Sequence, residues 1–128
     1  MNFSTDEALE ILQLYARYNT AIDGHDPKAF SACFVGDGRL DSSTGIFDGH
    51  DAIAGFAAAV NSNQPGMRHD PTNIVLEVDG QSATGSAFLI CCDVQGGFRV
   101  TATGRYADRL TRTASGWRFT QRVFTPDL

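Results

Sequence analysis

The feature that most constrains this chain is a change of hydrophobic period about half-way along it. Apolar residues recur at helical intervals through the first half, and from Arg68 onward they alternate as in strands. Ser4 and Glu7 are spaced as a capping box. Ala8, Ile11, Leu12, Tyr15, Tyr18, Ala21 and Ile22 then form one helical stripe that stops at Gly24. Asp26-Pro27 opens a shorter helix with Phe30, Cys33 and Phe34 on one side, closed by Gly36-Asp37-Gly38. A short strand is expected at Arg39-Leu40-Asp41. After Gly45 and Gly49 a third helix carries Ile53, Phe56, Ala57 and Val60 inward, and residues 61–67 read as a loop.

Four strands follow, over Thr72–Val78, Ser82–Asp93, Phe98–Thr113 and Trp117–Phe124, with turns at Asp79-Gly80, Gly96-Gly97 and Ala114-Ser115-Gly116. Helices gathered before strands predict an α+β fold in which three N-terminal helices cover one face of a bent antiparallel sheet. At 128 residues the whole chain, 1–128, makes one domain. Two of the strands exceed the usual five or so residues and must bend at bulges or glycines, for which Gly85 and Gly104 are candidates. A strongly bent sheet closed by helices is a cone with an apolar cavity, where small-molecule sites tend to lie. The other face of the sheet is left for a homodimer contact.

Charge narrows the partners. Fifteen acids against ten bases, a net charge of −5, repel a polyanion, so nucleic acid is not expected as a partner. No run approaches the ~18 apolar residues of a membrane span, and the start, Met1-Asn2-Phe3-Ser4-Thr5-Asp6-Glu7, lacks the basic and apolar parts of a signal peptide. A cytoplasmic protein without membrane association is the expectation. Cys33, Cys91 and Cys92 read as core or wall thiols, because vicinal cysteines on a strand point to opposite faces. No histidine pair has metal-ligand spacing and no glycine motif has a dinucleotide-binding context, so neither metal nor cofactor is expected.

The ionisable candidates are Tyr18 and Asp23 near the end of the first helix, Asp41 in the first strand, His69 at the mouth of the sheet, Asp93, and Arg122 in the last strand. Tyr18 and Asp23 lie ~140° apart on an ideal helix, so both enter one pocket only if the helix loosens near Gly24. Strand parity puts Arg122 with Arg118, Thr120 and Phe124, against Trp117, Phe119 and Val123.

Several local motifs resemble the SnoaL-like branch of the nuclear transport factor 2-like superfamily over nearly the whole chain. They are Leu14-Tyr15-Ala16-Arg17-Tyr18 followed by Ala21-Ile22-Asp23 and Asp26, then Phe34 with Asp37-Gly38, and Gly49 with Ile53 and Phe56. Arg68-His69, Asn73, the Gly104-Arg105-Tyr106-Ala107-Asp108 run, and Gly116-Trp117-Arg118-Phe119 ahead of Arg122 continue the match. The resemblance implies a cone-shaped fold. Scytalone dehydratase-like and bile-acid dehydratase-like enzymes imply His69 as a base, Asp23 as its partner, and Tyr18 and Arg122 as stabilisers of an enolate or a departing hydroxyl. The implied activity is a cofactor-independent dehydration of a small, largely apolar hydroxy-carbonyl compound. Ketosteroid isomerases resemble the chain too and imply Asp41 as the base of a double-bond isomerase, although their second oxyanion-hole acid would fall near Gly104. A third reading keeps the cone as a non-catalytic ligand-binding or subunit-interface domain.

Overall fold

A computed structural model describes residues 4–128; the first three residues of the stretch inspected for a signal peptide lie outside the described residues. Helix α1 spans Thr5–Asp23, with the Ser4 side chain accepting the Glu7 N–H at 3.1 Å, as the capping pair predicts. Its buried stripe is Ile11, Leu14, Tyr15, Tyr18, Ala21 and Ile22, whereas Leu12 is 38% exposed. The stripe is therefore rotated slightly from the expected one, because Leu14 takes the inward place assigned to Leu12.

Asp26 caps helix α2, Pro27–Ser31, by accepting the Ala29 N–H. This helix ends earlier than its apolar spacing suggests. The Cys33 carbonyl accepts the Phe119 N–H at 2.9 Å, and Phe34 already belongs to strand β1, Phe34–Ser42. A short partner strand that the sequence did not suggest, β2 at Gly45–Asp48, pairs back on β1. Helix α3, Gly49–Asn63, runs into the segment expected to be a loop; the Asn61 amide donates to the Ile22 carbonyl at 2.7 Å and ties its last turn to the end of α1.

The strands β3 (Met67–Asp79), β4 (Ser82–Asp93), β5 (Arg99–Thr113) and β6 (Gly116–Pro126) form the expected meander, and the full sheet has the order β2-β1-β6-β5-β4-β3. It is mixed rather than wholly antiparallel, since β1 runs parallel to β6. Pro71 is tolerated within a strand because β3 is an edge. The Asp79-Gly80 turn joins β3 to β4, with Gly80 at φ 63°, a conformation that costs glycine little.

Bulges interrupt the register of the sheet. Along the β3–β6 meander, register shifts fall between Thr72 and Val75, Cys91 and Cys92, and Arg109 and Leu110, while pairing stays regular through Gly85 and Gly104. Each shift reverses the alternation of faces beyond it. His69 and Leu76, seven positions apart, thereby share the helix-facing side, as do Phe119 and Arg122. The parity that grouped Arg122 with Arg118 and opposed it to Phe119 is corrected by the bulge opposite Arg109 and Leu110.

Candidate active site

Helices and sheet enclose a cavity of about 640 Å³. Tyr18 and Ile22 of α1, Phe56 and Val60 of α3, and Leu89, Tyr106 and Phe124 of the sheet give it apolar and aromatic walls. Its mouth is polar, with Ser42, Thr44, Gln64, Gln95 and Arg99. A space of this size and lining suits a small, mostly apolar molecule.

His69 lies on the cavity wall beside Cys91, its cross-strand partner. Asp23, the last residue of α1, grips it twice: one carboxylate oxygen accepts the His69 backbone N–H at 3.0 Å and the other meets Nδ1 at 2.7 Å. The two side chains are 9% and 19% exposed. A carboxylate only accepts, so Nδ1 donates, and in the neutral imidazole Nε2 carries the lone pair. Among the described residues no group bonds Nε2, which leaves that atom able to take a proton from a molecule in the cavity. Asp23 reaches the ring from the helix terminus and does not line the cavity, so α1 holds Tyr18 and Asp23 on different sides without loosening.

Tyr18 and Tyr106 line the cavity together, their rings edge to face at 6.2 Å. Burial pushes the Tyr18 phenol up to about 12, against the pull of the Arg122 charge. Burial likewise raises Tyr106 well above the ordinary phenol value. Both remain proton donors at neutral pH.

Arg122 does not line the cavity. It lies behind the two phenols, fully buried, with its guanidinium carbon 3.4 Å from the Tyr106 ring centre and 4.4 Å from that of Tyr18. Its Nε and Nη2 donate to Asp108 at 2.9 and 3.3 Å, and the Tyr15 hydroxyl donates to the same carboxylate. Burial raises the Asp108 carboxyl, while the Arg122 charge and these hydrogen bonds pull it back. Leu40, Arg122, Asp108, Gly85 and Leu76 form one inward row across the sheet. A Cβ on Gly85 would collide with the Tyr15 hydroxyl, so this glycine provides the room in which the buried network forms.

Asp41 stands on the opposite face from this row. It is paired in the neighbouring row with Val123, Ala107, Ser86 and Val75, while Leu40 and Ser42 on either side of it line the cavity. Asp93 is at the mouth, where one of its oxygens accepts the N–H groups of Gln95 and Gly96 and shapes the turn. His25 and His50 bind the Pro65 and Phe34 carbonyls. The three cysteines are free thiols; Cys91 is on the cavity wall, pushed up to about 12 by burial and then by the Asp23 charge. Among the described residues no three histidine, cysteine or acidic side chains converge as a ligand set.

Tyr15, Tyr106 and Asp108 appeared in the stripe and motifs read from the sequence but not among its ionisable site candidates. One signal was present: Tyr106, Asp108 and Leu110 alternate in phase, so an acid sits at an inward position of an otherwise apolar row.

With this geometry in view, the comparisons with known proteins are specific about the family. The model of the SnoaL-like domain matches residues 4–123. The chain belongs to the SnoaL-like domain family. No curated protein matches it. Among solved structures, this SnoaL-like domain is similar to Rv3472 of Mycobacterium tuberculosis, described as of unknown function. The identity is 30%, 94% of this chain and 72% of that one are covered, and the TM-score is 0.88. An NTF2-like protein with a cystatin-like fold from Novosphingobium aromaticivorans is 25% identical, with 95% and 82% of the two chains covered and a TM-score of 0.86. A protein of the same organism provisionally named a scytalone dehydratase shares the fold at 20% identity, with 98% and 89% covered and a TM-score of 0.81. No helix of the described residues is long and apolar enough to cross a membrane.

Proposed function

We propose that this SnoaL-like domain is a lyase that dehydrates a small, largely apolar hydroxy-carbonyl compound without a cofactor. The observation that carries this reading is the Asp23–His69 pair, fixed by two hydrogen bonds at the wall of an unfilled cavity. Nε2 of His69 takes the proton α to the carbonyl, and Asp23 holds the tautomer and stabilises the imidazolium. Tyr18 donates to the carbonyl oxygen as enolate charge develops. The enolate collapses to a carbon–carbon double bond as the β C–O bond breaks, and the proton held by His69 leaves with the hydroxyl as water. Arg122 acts from behind Tyr18 and does not touch the substrate. The walls match a largely apolar ligand, and an open cavity favours chemistry or binding over a purely packed interface. For the isomerase reading, Asp41 would have to serve from the far face of the sheet.

The same outer face exposes Val75 (60%) and Phe88 (49%), which supports a homodimer formed there by a second copy of the chain. Sedimentation should give twice the chain mass, and a monomer at all concentrations would refute that contact.

Activity is tested on a panel of β-hydroxy ketones and polycyclic hydroxy-carbonyl compounds, with product mass as readout. Turnover should lower the substrate mass by one water. His69→Asn and Asp23→Asn should each reduce kcat by roughly 10²-fold or more, and the double variant should lose little beyond the worse single one. Asp41→Asn should turn over as wild type. Mass-conserving turnover that survives His69→Asn and disappears in Asp41→Asn would overturn the proposal in favour of isomerisation. Binding without turnover across the panel would favour a silent domain.

A further inference from the structure

The register shift between Cys91 and Cys92 turns toward the cavity a charge that regular pairing would send outward. Along β5, Ala102 and Tyr106 share the inward face, so unbroken alternation would leave Arg99 outside with Thr103 and Arg105. Cys91 pairs with Ala102 but Cys92 pairs with Val100, which makes Thr101 the extra residue of the bulge. Beyond it the faces exchange. Val100, across from Cys92, is 56% exposed, whereas Arg99, across from Asp93, lines the cavity mouth. Bulges beside binding sites re-aim a side chain in this way.

Among the described residues Arg99 is the one arginine or lysine that lines the cavity, and no ion pair holds its charge. Opposite charges set directly across two strands attract one another. Asp93 instead commits an oxygen to the N–H groups of Gln95 and Gly96 and is not bonded to Arg99. The mouth around Arg99 offers neutral donors, the amides of Gln64 and Gln95 and the hydroxyls of Thr44 and Thr101. One cation with a carboxylate opposite it suits a single negative charge better than a phosphate dianion.

We propose that Arg99 is a specificity-determining residue that holds a carboxylate of the ligand at the cavity mouth, while the apolar body of the ligand lies among Tyr18, Leu89 and Phe124. Resting on the dehydratase reading, this makes the substrate a hydroxy-carbonyl compound that carries a carboxylate remote from its reacting carbons. His69 and Arg99 stand two strands and one inward row apart, which separates their backbones by about 12 Å. A ring-sized apolar body fits between them.

The probes are 2-naphthaleneacetate and its uncharged isostere 2-naphthaleneacetamide, with binding read by calorimetry at neutral pH. Wild-type protein should bind the acid roughly tenfold more tightly than the amide, through the paired N–H bonds that a guanidinium makes to a carboxylate. Arg99→Gln should remove that preference and leave the affinity for the amide unchanged, and Arg99→Glu should reverse the preference. Arg105→Gln takes an equal charge from the outer face of the same strand and should keep it. A diffuse attraction of the acid would instead weaken equally in Arg99→Gln and Arg105→Gln, and that outcome overturns the assignment. Equal wild-type affinity for acid and amide, a preference that survives Arg99→Gln, loss of both probes in that variant, or no uptake of the acid would each overturn it too. Binding needs no turnover and should persist in His69→Asn. Failure of the dehydratase reading therefore leaves the carboxylate site standing, and failure of the site leaves the His69 chemistry untouched.

Discussion

Arg122→Met removes the charge that faces Asp108 inside the cone while keeping a long, flexible side chain in its volume. Both partners are completely buried, and Asp108 would lose the 2.9 and 3.3 Å bonds and retain only the Tyr15 hydroxyl. Breaking a buried ion pair from one side costs about 3–5 kcal/mol, because the remaining charge has no water to turn to. With an unfolding entropy of about 2 cal/mol/K per residue, a loss of ~4 kcal/mol lowers Tm by about 15 °C in a chain of this length. Thermal unfolding followed by circular dichroism measures this directly. Asp108 can escape the penalty by holding its proton. Its folded value, already raised by burial, rises further once Arg122 is gone. A carboxyl raised in the folded state stabilises the fold at acid pH, and that contribution is lost as pH rises above the unfolded value toward the folded one. The deficit of Arg122→Met against wild type should therefore be small near pH 4 and full near pH 7. Asp108→Asn in the same chain should recover most of it. A drop of only a few degrees that is the same at both pH values, or a double variant worse than Arg122→Met, would refute the buried pair.

The three tyrosines, Tyr15, Tyr18 and Tyr106, are all raised by burial, so none should ionise near the ordinary value of about 10 while the fold persists. Above pH ~10 the unfolded chain releases phenolic protons that the folded chain keeps, and stability falls by up to about 4 kcal/mol per pH unit. Absorbance near 295 nm and circular dichroism should change together in one alkaline transition; a phenol that titrates before the fold is lost contradicts the packing. Gly85→Ala should cost about 1–3 kcal/mol by driving the Tyr15 hydroxyl off Asp108, and should cost less in a Tyr15→Phe background, as read by urea unfolding. Equal costs in both backgrounds would mean that the clash lies elsewhere.

Much of the fold was legible because it rests on local patterns. The capping pair at Ser4 and Glu7, the proline at the start of α2 and the Asp79-Gly80 turn act within a few residues of themselves, so their consequences can be read from the chain alone. The change of period likewise fixed the order of helices before strands. Helix spacing placed Tyr18 inward, and the family resemblance pointed to His69 and Asp23, which the fold brings to 2.7 Å.

What only the tertiary structure decided is which face each strand residue takes. A strand's side chains alternate, so a single inserted residue reverses everything beyond it, and no short-range signal marks where a long sheet must bend. The bulge in β3 turns His69 toward the cavity, and the bulge opposite Arg109 and Leu110 turns Arg122 toward Asp108. Asp41, paired with Val123 in the row next to Leu40 and Arg122, stays on the outer face. The parallel pairing of β1 with β6 and the clearance at Gly85 depend on segments far apart in sequence, whose meeting no local propensity encodes. The sequence by itself determined the elements and most of their inward faces; the long-range register of the sheet decided which charges were buried together and which met the cavity.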